Sequence, residues 1–300
     1  MAALPQRVRD NAVVYGMPHA EYLSSPGLSR STLVRLLTKT PFHTHALEAE
    51  NVDRPPGPEP SVAMFAGTLL HCALLEPDAF LKRYVIGPVV ATRAAKLWKE
   101  FAAAHPEREC ITPLQAEIAF AQAGALRGTP MGDSPDDGTL GDLLDGASCE
   151  CTGYWRDEKT GLFCKCRPDA SATVGVGADL GDVLVDVKTT ASAKPDEFNR
   201  SVANFRYDMQ DAYYTVGWAQ ATGRPVHAFL FACVEHEFPY ATALYTLPQS
   251  WRTFGWDDCR AALDLYAECE RAGAWPGYGV GVRELDPPRW HPLSRVGRFM

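Results

Sequence analysis

The chain has 300 residues, 46% of them hydrophobic, and a formal net charge of −8 at pH 7. That apolar share can bury a substantial core, while the acidity argues against a protein that coats nucleic acid non-specifically. No stretch approaches the ~20 apolar residues that a bilayer crossing needs, and the opening Met-Ala-Ala-Leu-Pro-Gln-Arg lacks a signal-peptide core, so a cytoplasmic protein with no membrane partner is expected.

In chain order, residues 1–27 read as irregular, punctuated by Pro5, Pro18, Pro26 and Gly27. Ser29 is placed to cap a helix over residues 30–38, and Thr40-Pro41 opens another short one. Residues 53–60 are polar and proline-rich, hence a loop. Residues 61–75 carry apolar positions at helical spacing and predict a buried helix that stops at Pro77. Two helices divided around His105-Pro106 are expected within 91–125, followed by an exposed connection over 128–146. Strands follow at 149–156, 161–169 and 182–188, the first two joined by the hairpin signal Asp157-Glu158-Lys159-Thr160-Gly161. A helix over 196–220, strands at 226–235 and 241–246 and a long helix over 251–272 complete the chain, with no internal repeat. This order predicts an α/β fold, a central mixed β-sheet flanked by helices. One domain over 1–300 is expected: an N-terminal extension to residue 60, a core over 61–275 and an irregular tail over 276–300.

The chemistry concentrates around residues 167–214. Asp186 and Lys188 are two apart in a strand and so project from one face. Asp169 supplies a second carboxylate across a Gly-rich connection that reads as a hairpin turn. Carboxylates brought together repel unless a cation lies between them, which points to a metal-dependent site. A lone Asp-x-Lys is more often a surface ion pair; the additional residues give it weight. Gln210 and Tyr214 lie one helical turn apart and would face the same place.

Arg167-Pro168-Asp169, a turn, Val185-Asp186-Val187-Lys188-Thr189-Thr190 and then Gln210-x-x-x-Tyr214 resemble the PD-(D/E)xK nuclease superfamily, and within it the RecE-like (exonuclease VIII) and RecB-like exonucleases. The stretch from Gly67 through His71 to Pro77 is similar to the RecE-family helix that brings a histidine to the site. Ala274-Trp275-Pro276 and Pro288-Arg289-Trp290 resemble the end of that domain. The resemblance implies a restriction-endonuclease-like core in which His71, Asp169, Asp186 and the Val187 carbonyl hold Mg²⁺ or Mn²⁺. Lys188 would orient or deprotonate the attacking water, and Gln210 and Tyr214 would position water or phosphate. It further implies 5′ to 3′ degradation of linear double-stranded DNA in a phage-type recombination system. A RecT-like single-strand annealing protein would take the 3′ overhangs, and the enzyme would form a homo-oligomeric ring. A RecB-like or CRISPR-associated single-strand nuclease and a catalytically silent DNA-end-binding scaffold are the alternatives.

Candidate DNA contacts are Arg30, Arg35 and Lys39, equally readable as a solvated helix face, together with Arg167 and Thr189. Glu150 could join the acidic site, although an exposed strand face explains it as well. The nine cysteines are an odd number and scattered, so reduced thiols are expected. Zinc held by the Cys149/Cys151 and Cys164/Cys166 pairs is disfavoured, because C-x-C on a flat strand splays its thiols.

Overall fold

The computed structural model describes residues 11–48, 61–288 and 290–291. The expected loop at 53–60, the chain's opening residues and Arg289 lie outside them.

The N-terminal region holds β1 (Ala12–Val14), α1 (His19–Ser24), α2 (Arg30–Thr38) and α3 (Pro41–Ala46). Ser29 and Thr40 cap the last two through side-chain oxygens that accept backbone N–H groups, as expected. Residues 11–27 are thus less irregular than the prolines suggested, and residues 1–10 lie outside the described residues. Next come α4 (Val62–Leu75), α5 (Pro77–Arg83), β2 (Tyr84–Ile86), α6 (Lys96–Ala104), β3 (Glu109–Ile111) and α7 (Pro113–Arg127). The short parallel pair β2–β3 was not foreseen, because three-residue strands carry too little periodicity to register. The connection expected over 128–146 contains α8 (Leu140–Asp145), closed by a Thr139/Asp142 capping box and burying Leu140 and Leu144.

The expected strand over 149–156 is two strands, β4 (Ser148–Cys149) and β5 (Thr152–Arg156), and that over 161–169 is likewise divided into β6 (Phe163–Cys166) and β7 (Ala170–Val174). Both divisions occur where the chain passes from one sheet to another. β5 and β6 pair antiparallel through the expected hairpin and, with β1, form a three-stranded sheet; β4 and β7 belong to a five-stranded one. The latter is completed by β8 (Gly181–Thr190), β9 (Val226–Glu235) and β10 (Thr242–Tyr245), in the order β10-β9-β8-β7-β4. Only β8 and β9 run parallel within it, so the sheet is mixed. Between them lie α9 (Pro195–Phe205) and α10 (Tyr207–Thr222), and α11 (Gln249–Ala272) closes the fold. The expected helix over 196–220 breaks at Arg206, whose φ of +56° ends α9; its guanidinium bonds Asp208 and Asp258.

Period-2 alternation on β8 and β9 sends successive side chains into two cores. Val185, Val187, Leu230, Ala232 and Val234 pack with α4, α7 and α8. Leu184, Phe229, Phe231 and Cys233 pack with α2, α10 and α11 on the other face. Each fully buried Phe or Leu there contributes roughly 1.5–3 kcal/mol. Among the described residues no helix is long and apolar enough to cross a membrane.

Two glycines let α10 approach its neighbours closely. A Cβ on Gly217 would lie 2.2 Å from the Trp155 ring, and one on Gly255 of α11 only 2.3 Å from the Asp208 carbonyl oxygen. Gly124 in α7 has open space around it. Gly255→Ala should therefore destabilise by ~1–3 kcal/mol through a backbone clash that no rotamer relieves, whereas Gly124→Ala should stabilise by ~0.5–1 kcal/mol. Urea denaturation of the two variants checks this, and a neutral Gly255→Ala would refute the close crossing.

Candidate active site

β8 delivers Asp186 and Lys188 to the face covered by α10, as their spacing predicts. Asp186 is buried to 3% exposure. Lys188 Nζ lies 2.5 Å from Asp186 Oδ2 and donates to Gln210 Oε1 at 3.3 Å, while Gln210 Nε2 donates to Asp186 Oδ1. Gln210 thus spans both strand residues. The Lys188 ammonium also lies 4.5 Å from the centre of the Tyr207 ring. Burial works to lower the Lys188 pKa, but Asp186, with Tyr207 and Asp169, raises it on balance. Tyr214, one turn beyond Gln210, lines the same space, its hydroxyl pKa pushed up by burial and then by Tyr22 and other neighbours.

Asp169 stands at the passage from β6 to β7. Its Oδ2 accepts the Val187 N–H at 2.7 Å, which ties it to the strand bearing Asp186. Its Oδ1 lies 3.6 Å from His71 Nδ1, and His71 comes from the middle of α4, which packs on β8. Glu150 joins from the passage between β4 and β5. Donor atoms of His71, Glu150 and Asp169 all lie within 4.8 Å of one another. These three, Asp186 and the Val187 backbone line one cavity of about 1130 Å³. One imidazole nitrogen and several carboxylate oxygens make a donor set suited to a hard divalent cation. Asp186 Oδ2 is buried against the Lys188 ammonium, so that carboxylate already has a cationic partner in Lys188 itself.

Burial pushes the Asp169 carboxyl up to about 7; His71 opposes the shift, while Asp186 and Glu150 add to it by repulsion. Cys72 and Cys149 line the same cavity. Burial raises the thiols of Cys149 and Cys151 to about 11 and of Cys164 to about 12.

The basic residues near the site and those named as candidate DNA contacts are distributed differently. Arg30 donates to the backbone carbonyls of Phe205 and Arg206, joining α2 to the α9–α10 junction. Lys165 is buried and donates to the Tyr22 and Ser25 carbonyls at 2.7 and 2.5 Å. Arg167 turns inward onto Glu150 at 2.6 Å rather than outward as a DNA contact would require. Arg35 lines a second cavity, of about 510 Å³, which shares Lys188, Gln210 and Tyr214 with the first. Lys39 and Thr189 are exposed, and Thr189 sits beside Gly67 of α4. Glu150, evenly balanced in the sequence, falls in the cluster because it belongs to neither strand. Tyr207 gave no sequence signal beyond its place three residues before Gln210.

Residues 29–283 match the model of a family described as a PDDEXK-like domain of unknown function (DUF3799). The structure is similar to the crystal structure of a candidate exonuclease from Eubacterium rectale, with a TM-score of 0.55 and 14% identity over 96% of this chain and 100% of that one. At that identity the likeness speaks for the fold, the α/β PD-(D/E)xK core. No curated protein matches in sequence.

The Asp169 shift gives a testable stability effect. Its folded pKa of about 7 lies above its ordinary 3.8, so its contribution to stability is fully present below about pH 4 and is lost as pH rises through 7. Asparagine cannot ionise and keeps an acceptor for the Val187 N–H. In EDTA, Asp169→Asn should gain stability over the native protein as pH is raised from 5 to 8; parallel denaturation profiles would contradict the shift.

Proposed function

The chain belongs to the PDDEXK-like domain family, and from that premise we propose that it is a metal-dependent exodeoxyribonuclease acting on linear double-stranded DNA. The observation that carries the reading is the convergence of His71, Glu150 and Asp169 in one cavity with the Asp186–Lys188–Gln210 triad. In this reading His71, Glu150, Asp169, Asp186 and the Val187 carbonyl hold Mg²⁺ or Mn²⁺. The bound ion would supply water activation and charge neutralisation at the phosphodiester. Lys188 orients the attacking water and offsets charge building on the phosphate in the transition state. Gln210 holds Lys188 and Asp186 in register, and Tyr214 closes the wall behind them. Lys39, Thr189 and Arg35 are the remaining candidates for backbone contact with DNA.

Several features of the proposal rest on the resemblance to RecE-like enzymes: 5′ to 3′ polarity, 3′ overhangs for annealing-based recombination, a RecT-like annealing partner and a homo-oligomeric ring. A cytoplasmic setting and a single domain over 1–300 belong to the same reading. The E. rectale protein, itself described as a candidate exonuclease, supports it through the shared fold.

A time course on linear duplex labelled at the 5′ or the 3′ end tests this, with Mg²⁺ or EDTA and with Lys188→Ala. Loss of the 5′ label as mononucleotide in Mg²⁺ only, slowed at least ~100-fold in the variant, is the expected result. Loss from the 3′ end or cutting of single strands alone would point to a RecB-like enzyme. No cleavage with any divalent metal would point to a DNA-end-binding scaffold.

A further inference from the structure

Two chain passages between sheets lie side by side at the metal cluster. One runs from Cys149 in the five-stranded sheet to Thr152 in the three-stranded one, and the other returns from Cys166 to Ala170. Glu150 and Asp169 sit on these passages, joined by the Glu150 N–H donating to the Asp169 carbonyl at 2.9 Å. Glu150 has a φ of +53°, a left-handed conformation that L side chains rarely adopt. A strained backbone alone does not aim a glutamate, whose side chain has three rotatable bonds.

Arg167 supplies the aim. Its Nε donates to Glu150 Oε2 at 2.6 Å and its Nη1 to Thr152 Oγ1 at 3.2 Å, on the far side of the passage. The guanidinium also lies 5.6 Å from the centre of the Tyr22 ring, and the side chain is 7% exposed. Every one of these contacts is to the protein's own interior. We propose that Arg167 is a positioning residue for the metal site, which rests on the reading of that site above: it clamps Glu150 so that the carboxylate stays with His71 and Asp169.

Charge alone predicts the opposite sign. A guanidinium beside a divalent cation repels it, so removing Arg167 would tighten binding if charge were its whole contribution. Positioning predicts weaker binding, because the freed carboxylate must be ordered again by the ion. The fork geometry also matters, since lysine offers a point charge in its place.

The test measures Mn²⁺ affinity by electron paramagnetic resonance on the full chain without DNA, for Arg167→Met, Glu150→Gln and the double variant. Arg167→Met should weaken binding by about 10- to 100-fold. Glu150→Gln should weaken it comparably, and the double variant should bind no worse than Glu150→Gln, since the clamp then has nothing to hold. Unchanged or tighter binding by Arg167→Met, losses that multiply in the double variant, or a wild-type chain that binds no Mn²⁺ would each overturn the proposal. Should Arg167→Met fail to fold by circular dichroism, Arg167→Lys replaces it: weakened binding is expected, and native affinity overturns the clamp. Because DNA is absent, a chain that shows this pattern yet cuts no DNA loses the nuclease reading and keeps the role of Arg167.

Discussion

Mutual repulsion among carboxylates held away from water is the constraint on which the rest of this structure depends. Asp169, Asp186 and Glu150 face one cavity, where burial first, and then repulsion from Asp186 and Glu150, raises the Asp169 carboxyl to about 7. A chain folds around such a cluster only if positive charge is placed beside it. Lys188 lies against Asp186, Arg167 against Glu150 and His71 near Asp169. Each acidic group has a basic neighbour, and each pairing joins different parts of the chain or adjacent same-face positions of β8.

The scaffold makes those pairings reproducible. β8 is central in the five-stranded sheet, with apolar cores on both faces, so Asp186 and Lys188 are fixed by packing of Leu184, Val185 and Val187 around them. The Val187 N–H then fixes Asp169, and α4 carries His71 in against the same strand. Close approach of α11 at Gly255 and of the Trp155 ring of β5 at Gly217 sets α10 where Gln210 can reach both β8 residues. Substitution far from the cavity, at either glycine, would therefore reach the site through the placement of α10.

What was legible in the sequence follows from how local each cause is. Asp186 and Lys188 could be placed from strand periodicity, and Gln210 with Tyr214 from helical spacing, because those rules act within a few residues. The caps at Ser29 and Thr40 and the long strand at 226–235 were legible for the same reason. Glu150 was evenly balanced and the inward turn of Arg167 was not legible, since continuous strands were expected through both positions and the change of sheet at each is decided by tertiary pairing. Arg30 likewise read as a DNA contact or a solvated helix face, yet its partners are backbone carbonyls brought near by the α9–α10 junction. A basic side chain in sequence carries no mark of whether it will meet phosphate or its own fold.

That distinction bears on how an acidic chain would engage a polyanion. Arg30, Lys165 and Arg167 are bound up inside the protein, so the net charge of −8 is not relieved by a ready basic face near the cavity formed from these residues. With Asp169, Asp186 and Glu150 ionised, Lys188 and Arg167 leave the cavity one negative charge in excess. A divalent cation would reverse that sign. In the proposed enzyme the ion would then do more than activate water: it would convert a place that repels the phosphodiester into one that attracts it. Attraction confined to the metal-bound state needs no extended basic surface, which reconciles the acidic composition with a nucleic-acid substrate.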